Sequence, residues 1–357
     1  MRGWTGRIIA LAEGVLLGGA ILVLPRTLLP AGSDARSSGP ARTVRRAESP
    51  TGVRLSYEWT DAAGRQYAIE LPIPRSELEA SEQALGFSLT ELRTFLVDAE
   101  VRIREEEGLT PVAIARGVVS RISDPDLCQI GEDPDSAFNI ILRTNAATLP
   151  GGASEVDRIL AAYQRRWDAS RKTVCERLQA RLREYAGAHG MEVTPHGIAV
   201  DYKRLVKDSA VRLRPLAQEF RRRCGPPKQG LLAAVHSFVQ SIPYEQNPPV
   251  DGGRYTAGVE VPLRVLTEDR GDCDSKAVLF AALWINLSHS RTILIQVPEH
   301  MLVGVAAPFV SGESLVIQSI RYLLLEMSCR EIAPPGRISV YSAGALAGGD
   351  FKYKIVS

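Results

Sequence analysis

Apolar and polar residues alternate along VRLSYEWTDAAGRQYAIELPIP, which predicts two strands joined through Asp61–Gly64 as a hairpin. A charged stretch from Ser76 to Glu107 then takes on helical spacing, with an interruption near Gly86. The short apolar runs PVAIARGVVSRI and AFNIILRT read as further strands, so residues 51–150 are expected to form a small α+β module. From Ser154 to His189 apolar residues recur every three or four positions among Arg and Glu, the pattern of one long amphipathic helix closed by Gly190. A strand, HGIAVDY, and another basic helix ending at Arg223 complete an expected helical region over 151–225, and Gly225-Pro226-Pro227 marks its boundary.

The last part of the chain reads differently. LLAAVHSFVQSIPYE has a helical period that stops at Pro243, and Gln246 to Arg270 reads as irregular. Gly271-Asp272 supplies a tight turn and an N-cap for a helix starting at Cys273, on which Cys273, Ala277, Phe280, Ala281 and Trp284 share an apolar face. TILIQVPEHMLVGVAAP holds two β-like runs parted by Pro298 and Glu299, with His300 heading the second. In YLLLEMS, Tyr322, Leu324 and Glu326 share one face of a strand. A carboxylate in so apolar a strand costs several kcal/mol unless it is paired, and an imidazole suits it as a partner.

The first 30 residues follow another rule again. Arg2 and Arg7 precede the apolar run Ile8 to Leu24, about the length of a short membrane span, and Glu13 is the one charge within it. A retained inner-membrane anchor with the bulk of the chain in the periplasm is the expected arrangement, and a cleaved signal peptide with secretion is the alternative. Residues 31–50, rich in Gly, Ser, Pro and Arg, read as a flexible linker.

Composition excludes more than it assigns. With 45% apolar and 24% charged residues the chain is an ordinary globular one, and 43 basic against 41 acidic residues leave no field that argues for nucleic acid as a partner. Five cysteines, Cys128, Cys175, Cys224, Cys273 and Cys329, form no C-x-x-C pair, so zinc-knuckle and thioredoxin chemistry have no footing and no metal or cofactor is expected. An odd number outside the cytoplasm leaves at least one thiol free or paired between chains, and Cys273 is the candidate for the free one.

A thiol at a helix start, a histidine heading one strand and an acid on the next match the needs of acyl transfer: a nucleophile, a base that takes its proton, and a group that orients the base. GDCDSKAVLFAALW, PEHMLVGV and YLLLEMSCREIAPPGRI resemble, in order, the Cys, His and acidic blocks of bacterial transglutaminase-like domains, and FVQSIPYE resembles the helix before their catalytic loop. The likeness covers about residues 228–340 and implies a transglutaminase or papain-like α+β fold over 226–357. It also implies Cys273 as nucleophile, His300 as general base and acid, and Glu326 as orienting acid where Asp is commoner. None of Trp4, Trp59, Trp167 and Trp284 lies in the loop before Cys273, where cross-linking members carry an oxyanion-stabilising indole, so Tyr244 is the oxyanion candidate. The expected activity is that of a cysteine peptidase or amidase on protein or peptide. A transglutaminase, or an inactive binding module of the same fold, is the alternative.

Overall fold

In the computed structural model the described residues are 7–11, 42–121, 128–132, 140–144, 149, 151–225, 229–306, 312–329 and 331–357. They divide into two units of mixed α+β structure, the first drawn from 1–24, 89–185 and 195–197 and the second from 25–88, 186–194 and 198–357.

The first unit contains an antiparallel sheet in which Ile140–Thr144 pairs with Arg7–Leu11 on one side and Cys128–Glu132 on the other. Helices Leu89–Glu106 and Pro111–Val119 belong to it, as does all but the end of the long helix Ala153–Ala188. PVAIARGVV is a helix and not the expected strand. Thr110 caps it, accepting from the Ala113 N–H at 3.2 Å, Pro111 opens it, and Ile114, Ala115, Val118 and Val119 bury one face against Val156, Ile159 and Trp167. Arg7–Leu11, which overlaps the start of the expected membrane span, is a strand, while the rest of that span lies outside the described residues. Among the described residues no helix is long and apolar enough to cross a membrane.

The second unit holds the C-terminal motifs. Its hairpin is as expected: β2 (Gly52–Thr60) pairs antiparallel with β3 (Gln66–Pro74), and Asp61 closes the turn by accepting from the Ala63 and Arg65 N–H groups at 2.9 Å. A further strand, β1 (Thr43–Ser49), pairs with β2, so the second half of the expected linker is structured. Helix α1 (Arg75–Gln83) ends before Gly86, whose φ of +84° and approach to the Tyr255 carbonyl, 2.5 Å from where a Cβ would lie, admit glycine alone. The expected basic helix is two, α2 (Tyr202–Arg212) and α3 (Arg214–Cys224), restarted where Pro215 cannot donate a hydrogen bond. Next come α4 (Gln229–Ser241) and α5 (Pro262–Glu268), the latter a short helix inside the segment expected to be irregular.

Helix α6 (Cys273–Leu287) organises this unit. From Ala277 to Trp284 every side chain is buried, so the helix needs cover all round rather than along the one expected face. Helices α2, α3, α4 and α5 cover one side, and strands β4 (Thr292–Val297) and β5 (His300–Val305) the other. That demand explains why residues 198–225 and the hairpin group with the C-terminal part, so that neither the expected break at 225 nor the expected 51–150 module coincides with a unit. The sheet against α6 is antiparallel throughout, in the order β6 (Ser314–Ile317), β7 (Ile320–Glu326), β5, β4, β8 (Lys352–Ile355). Helix α7 (Val340–Ala347) packs near β4.

Candidate active site

Asp272 has extended backbone and its Oδ1 accepts from the Ser275 N–H at 2.9 Å, so it caps α6 as expected and sets Cys273 at the first helical position. The approach to this turn is fixed from the hairpin. Tyr57 Oη donates to the Leu266 carbonyl and Arg46 to that of Thr267, both at 2.8 Å, which satisfies carbonyls in the last turn of α5. Asp269 follows in left-handed conformation and pairs with Arg42 at 2.7 Å. On the other side, the Gly271 N–H donates to the Pro243 carbonyl and the Glu245 N–H to that of Gly271, so Tyr244 runs beside Gly271, two residues before Cys273.

His300 and Glu326 meet. Residues 298–299 form the β4–β5 turn with Glu299 at φ +56°, and β7 pairs with β5 so that Glu326 lies opposite Leu302. His300 Nε2 lies 2.8 Å from Glu326 Oε1 and donates to it, which leaves Nδ1 as the basic nitrogen of a neutral ring. Glu326 is buried, yet His300 together with the Ser339 N–H at 2.6 Å and the Ser339 and Ser342 hydroxyls holds its carboxyl below the usual range. Its main chain is held as well. His236 and Gln240 on α4 donate to the Glu326 carbonyl at 3.1 and 2.7 Å, while Gln240 Oε1 accepts from the Ala333 N–H. His236 is fully buried and its pKa is brought down to about 4 by that burial, so it is a neutral core histidine with a supporting role.

Cys273 is a buried free thiol; the next residue, Asp274, is half-buried, and Ser275 to Trp284 are buried. The Met301 N–H, on the residue after His300, acts in the direction that favours the thiolate. The Sγ–H itself is engaged by Asp274 Oδ1 at 3.2 Å and not by His300. Burial, then Asp274 and Asp272, push the thiol well above its ordinary pKa, so these outweigh the thiolate-favouring helix start that the sequence suggested. Tyr202, the first residue of α2, donates to the other Asp274 oxygen at 2.5 Å. Tyr244 is 56% exposed, and its hydroxyl is pushed up to about 12 by partial burial and then by Cys273, Asp272 and Asp274. Three residues beyond Cys273, Lys276 is 1% exposed and donates to the Ile242 carbonyl at 2.8 Å, tying α6 to the end of α4.

No protein-family model, curated protein or solved structure matches the chain. The site therefore stands on its own geometry. It comprises an imidazole on β5 oriented by a carboxylate on β7, and a buried thiol at the start of α6, the helix against which β5 packs. A thiol and a carboxylate-oriented imidazole are the side chains that acyl transfer uses. Among the described residues no group of three His, Cys, Asp or Glu side chains is placed to hold a metal ion. Sequence reasoning gave no role in the site to Tyr202, Asp274, His236 or Gln240, although Asp274 lies in the Cys block and Gln240 in the helix block before it.

Proposed function

We propose that the chain is a thiol-dependent acyl-transfer enzyme, a cysteine peptidase or amidase of the transglutaminase-like type acting on protein or peptide. One observation carries this reading: the His300–Glu326 hydrogen bond of 2.8 Å beside the helix start that bears Cys273. In the reaction, His300 Nδ1 takes the Sγ–H proton as sulfur attacks an amide carbonyl. The backbone N–H of Cys273 and the Tyr244 hydroxyl donate to the oxyanion. His300 then protonates the leaving amine, and water, deprotonated by the same ring, hydrolyses the thioester. Glu326 keeps the ring in the tautomer that this sequence requires.

The test is incubation of the purified protein with an unstructured protein substrate and a fluorescent primary amine. A peptidase releases fragments, and Cys273→Ser abolishes them. Incorporation of the amine without fragments instead supports a transglutaminase, and neither outcome leaves a binding module. The site of action we propose is the periplasm, through an inner-membrane anchor at Ile8–Leu24 or by secretion after cleavage. The strand pairing of Arg7–Leu11 is the observation against an anchor, and retention of the full-length protein in membranes after alkaline carbonate extraction decides the matter.

A further inference from the structure

The acyl-transfer reading needs the Cys273 proton to reach His300, yet in the resting protein that proton faces Asp274 Oδ1 at 3.2 Å. Asp274 is not free to turn aside, because its second oxygen accepts from Tyr202 Oη at 2.5 Å. Tyr202 is itself fixed, following Asp201, whose side chain caps α2 by accepting from the Arg204 N–H at 3.2 Å. The three side chains thus form a chain of hydrogen bonds, phenol to carboxylate to thiol, joining the starts of two helices that are 72 residues apart in sequence.

We propose that Asp274 is a brake on the nucleophile, holding the Cys273 Sγ–H in the resting site, and that Tyr202 is the positioning residue that sets the brake's strength. This deepens the acyl-transfer reading and rests on it only for its role in turnover. During acylation the S–H bond breaks, its proton passes to His300 Nδ1, the sulfur pair forms the bond to the acyl carbon, and Asp274 stays a carboxylate throughout. An ionised carboxylate at this distance opposes the thiolate, and the Tyr202 hydroxyl draws part of its charge away from sulfur. The other groups that act on the thiol are Asp272 at the helix cap, Tyr244 beside Gly271, and the Met301 N–H on β5. The Lys276 amine is turned to the α4 carbonyls. None of these links Asp274 to Tyr202.

The experiment measures the iodoacetamide rate at Cys273, resolved by peptide mass spectrometry, from pH 5.5 to about 11 on the full-length chain. Asp274→Asn is expected to move the alkylation midpoint to lower pH by about one unit, which makes Cys273 about tenfold faster at pH 7. Tyr202→Phe leaves Asp274 a stronger acceptor and is expected to slow the reaction severalfold and raise the midpoint. Opposite signs are the signature, since local loosening exposes the thiol and speeds both variants. The proposal is overturned if Asp274→Asn is unchanged or slower, or if both variants shift the same way. Should Asp274→Asn fail to fold, Tyr202→Phe decides alone: slower supports the brake, unchanged or faster removes it. Alkylation needs no acyl substrate, so a wild type without turnover ends the acyl-transfer reading and leaves this comparison intact.

Discussion

Removing the Glu326 carboxylate perturbs the site where the accounting is clearest. Its oxygens accept from His300 Nε2, the Ser339 N–H, and the hydroxyls of Ser339 and Ser342, at distances from 2.6 to 3.2 Å. The two hydroxyls lie 3.0 Å apart and can bond to each other once the acid is gone, and His300 is near enough to solvent to find water. Ser339 is itself exposed, so its N–H can turn to water as well, and the loss is dominated by the buried carboxylate's own site. With the cavity left in a packed strand, Glu326→Ala is expected to lose about 3–5 kcal/mol, the range for breaking one side of a buried pair. Glu326→Gln keeps the volume and one acceptor and is expected to lose about 1–3 kcal/mol. Because the folded carboxyl lies below its ordinary 4.5, its contribution is complete above that pH and disappears as pH falls through the folded value. Urea unfolding of wild type and Glu326→Gln should therefore show a gap that is constant from pH 7 to about 5 and narrows below 4.5. A Glu326→Ala variant within about 0.5 kcal/mol of wild type, or a gap that widens in acid, refutes the reasoning.

Other consequences can be checked alongside it. Burial brings the Lys276 amine down to about 7, against an ordinary 10.5, so between those values the unfolded chain holds the extra proton and stability rises with pH. Unfolding at pH 7 and 9.5 should show wild type gaining relative to Lys276→Met. Gln240→Ala removes the Glu326 carbonyl's closer donor and strands the Ala333 N–H, and is expected to cost about 1–3 kcal/mol by the same urea measurement. Tyr244→Phe removes an exposed hydroxyl without disturbing a described hydrogen bond, and as an oxyanion donor its loss should lower kcat about 10²-fold at unchanged KM and unchanged stability.

The features legible in the sequence were those written locally. Gly271-Asp272 announced the start of α6 because a cap is a matter of two or three adjacent residues, and Glu326 announced its need for a partner by standing in an otherwise apolar strand. The alternation in Gly52–Pro74 likewise fixed the hairpin and its turn. Short apolar runs were misread where the period is ambiguous: PVAIARGVV suits both a strand and a helix, and the Thr110-Pro111 cap decides it. Helix α5 was hidden among Pro and Gly although Pro262 opens it in the same way. The contacts that tune the site were beyond reach because they depend on which helices cover α6. Tyr202 reaches Asp274 from 72 residues away, and His236 and Gln240 reach the Glu326 carbonyl from 90 and 86. The electrostatic outcome at Cys273 was unreadable for the same reason, since burial against β5 outweighs a helix start.

The central claim is that His300 takes the Cys273 proton while sulfur attacks an acyl group, and the acylation rate of that sulfur tests it most directly. An activated ester offered to wild type and His300→Ala, with the adduct located by mass spectrometry, should give a thioester on Cys273 that forms and then hydrolyses in wild type. In His300→Ala it should form about 10²- to 10⁴-fold more slowly. Equal rates in the two proteins, or an adduct carried by Cys175, Cys224 or Cys329 instead, would contradict the account.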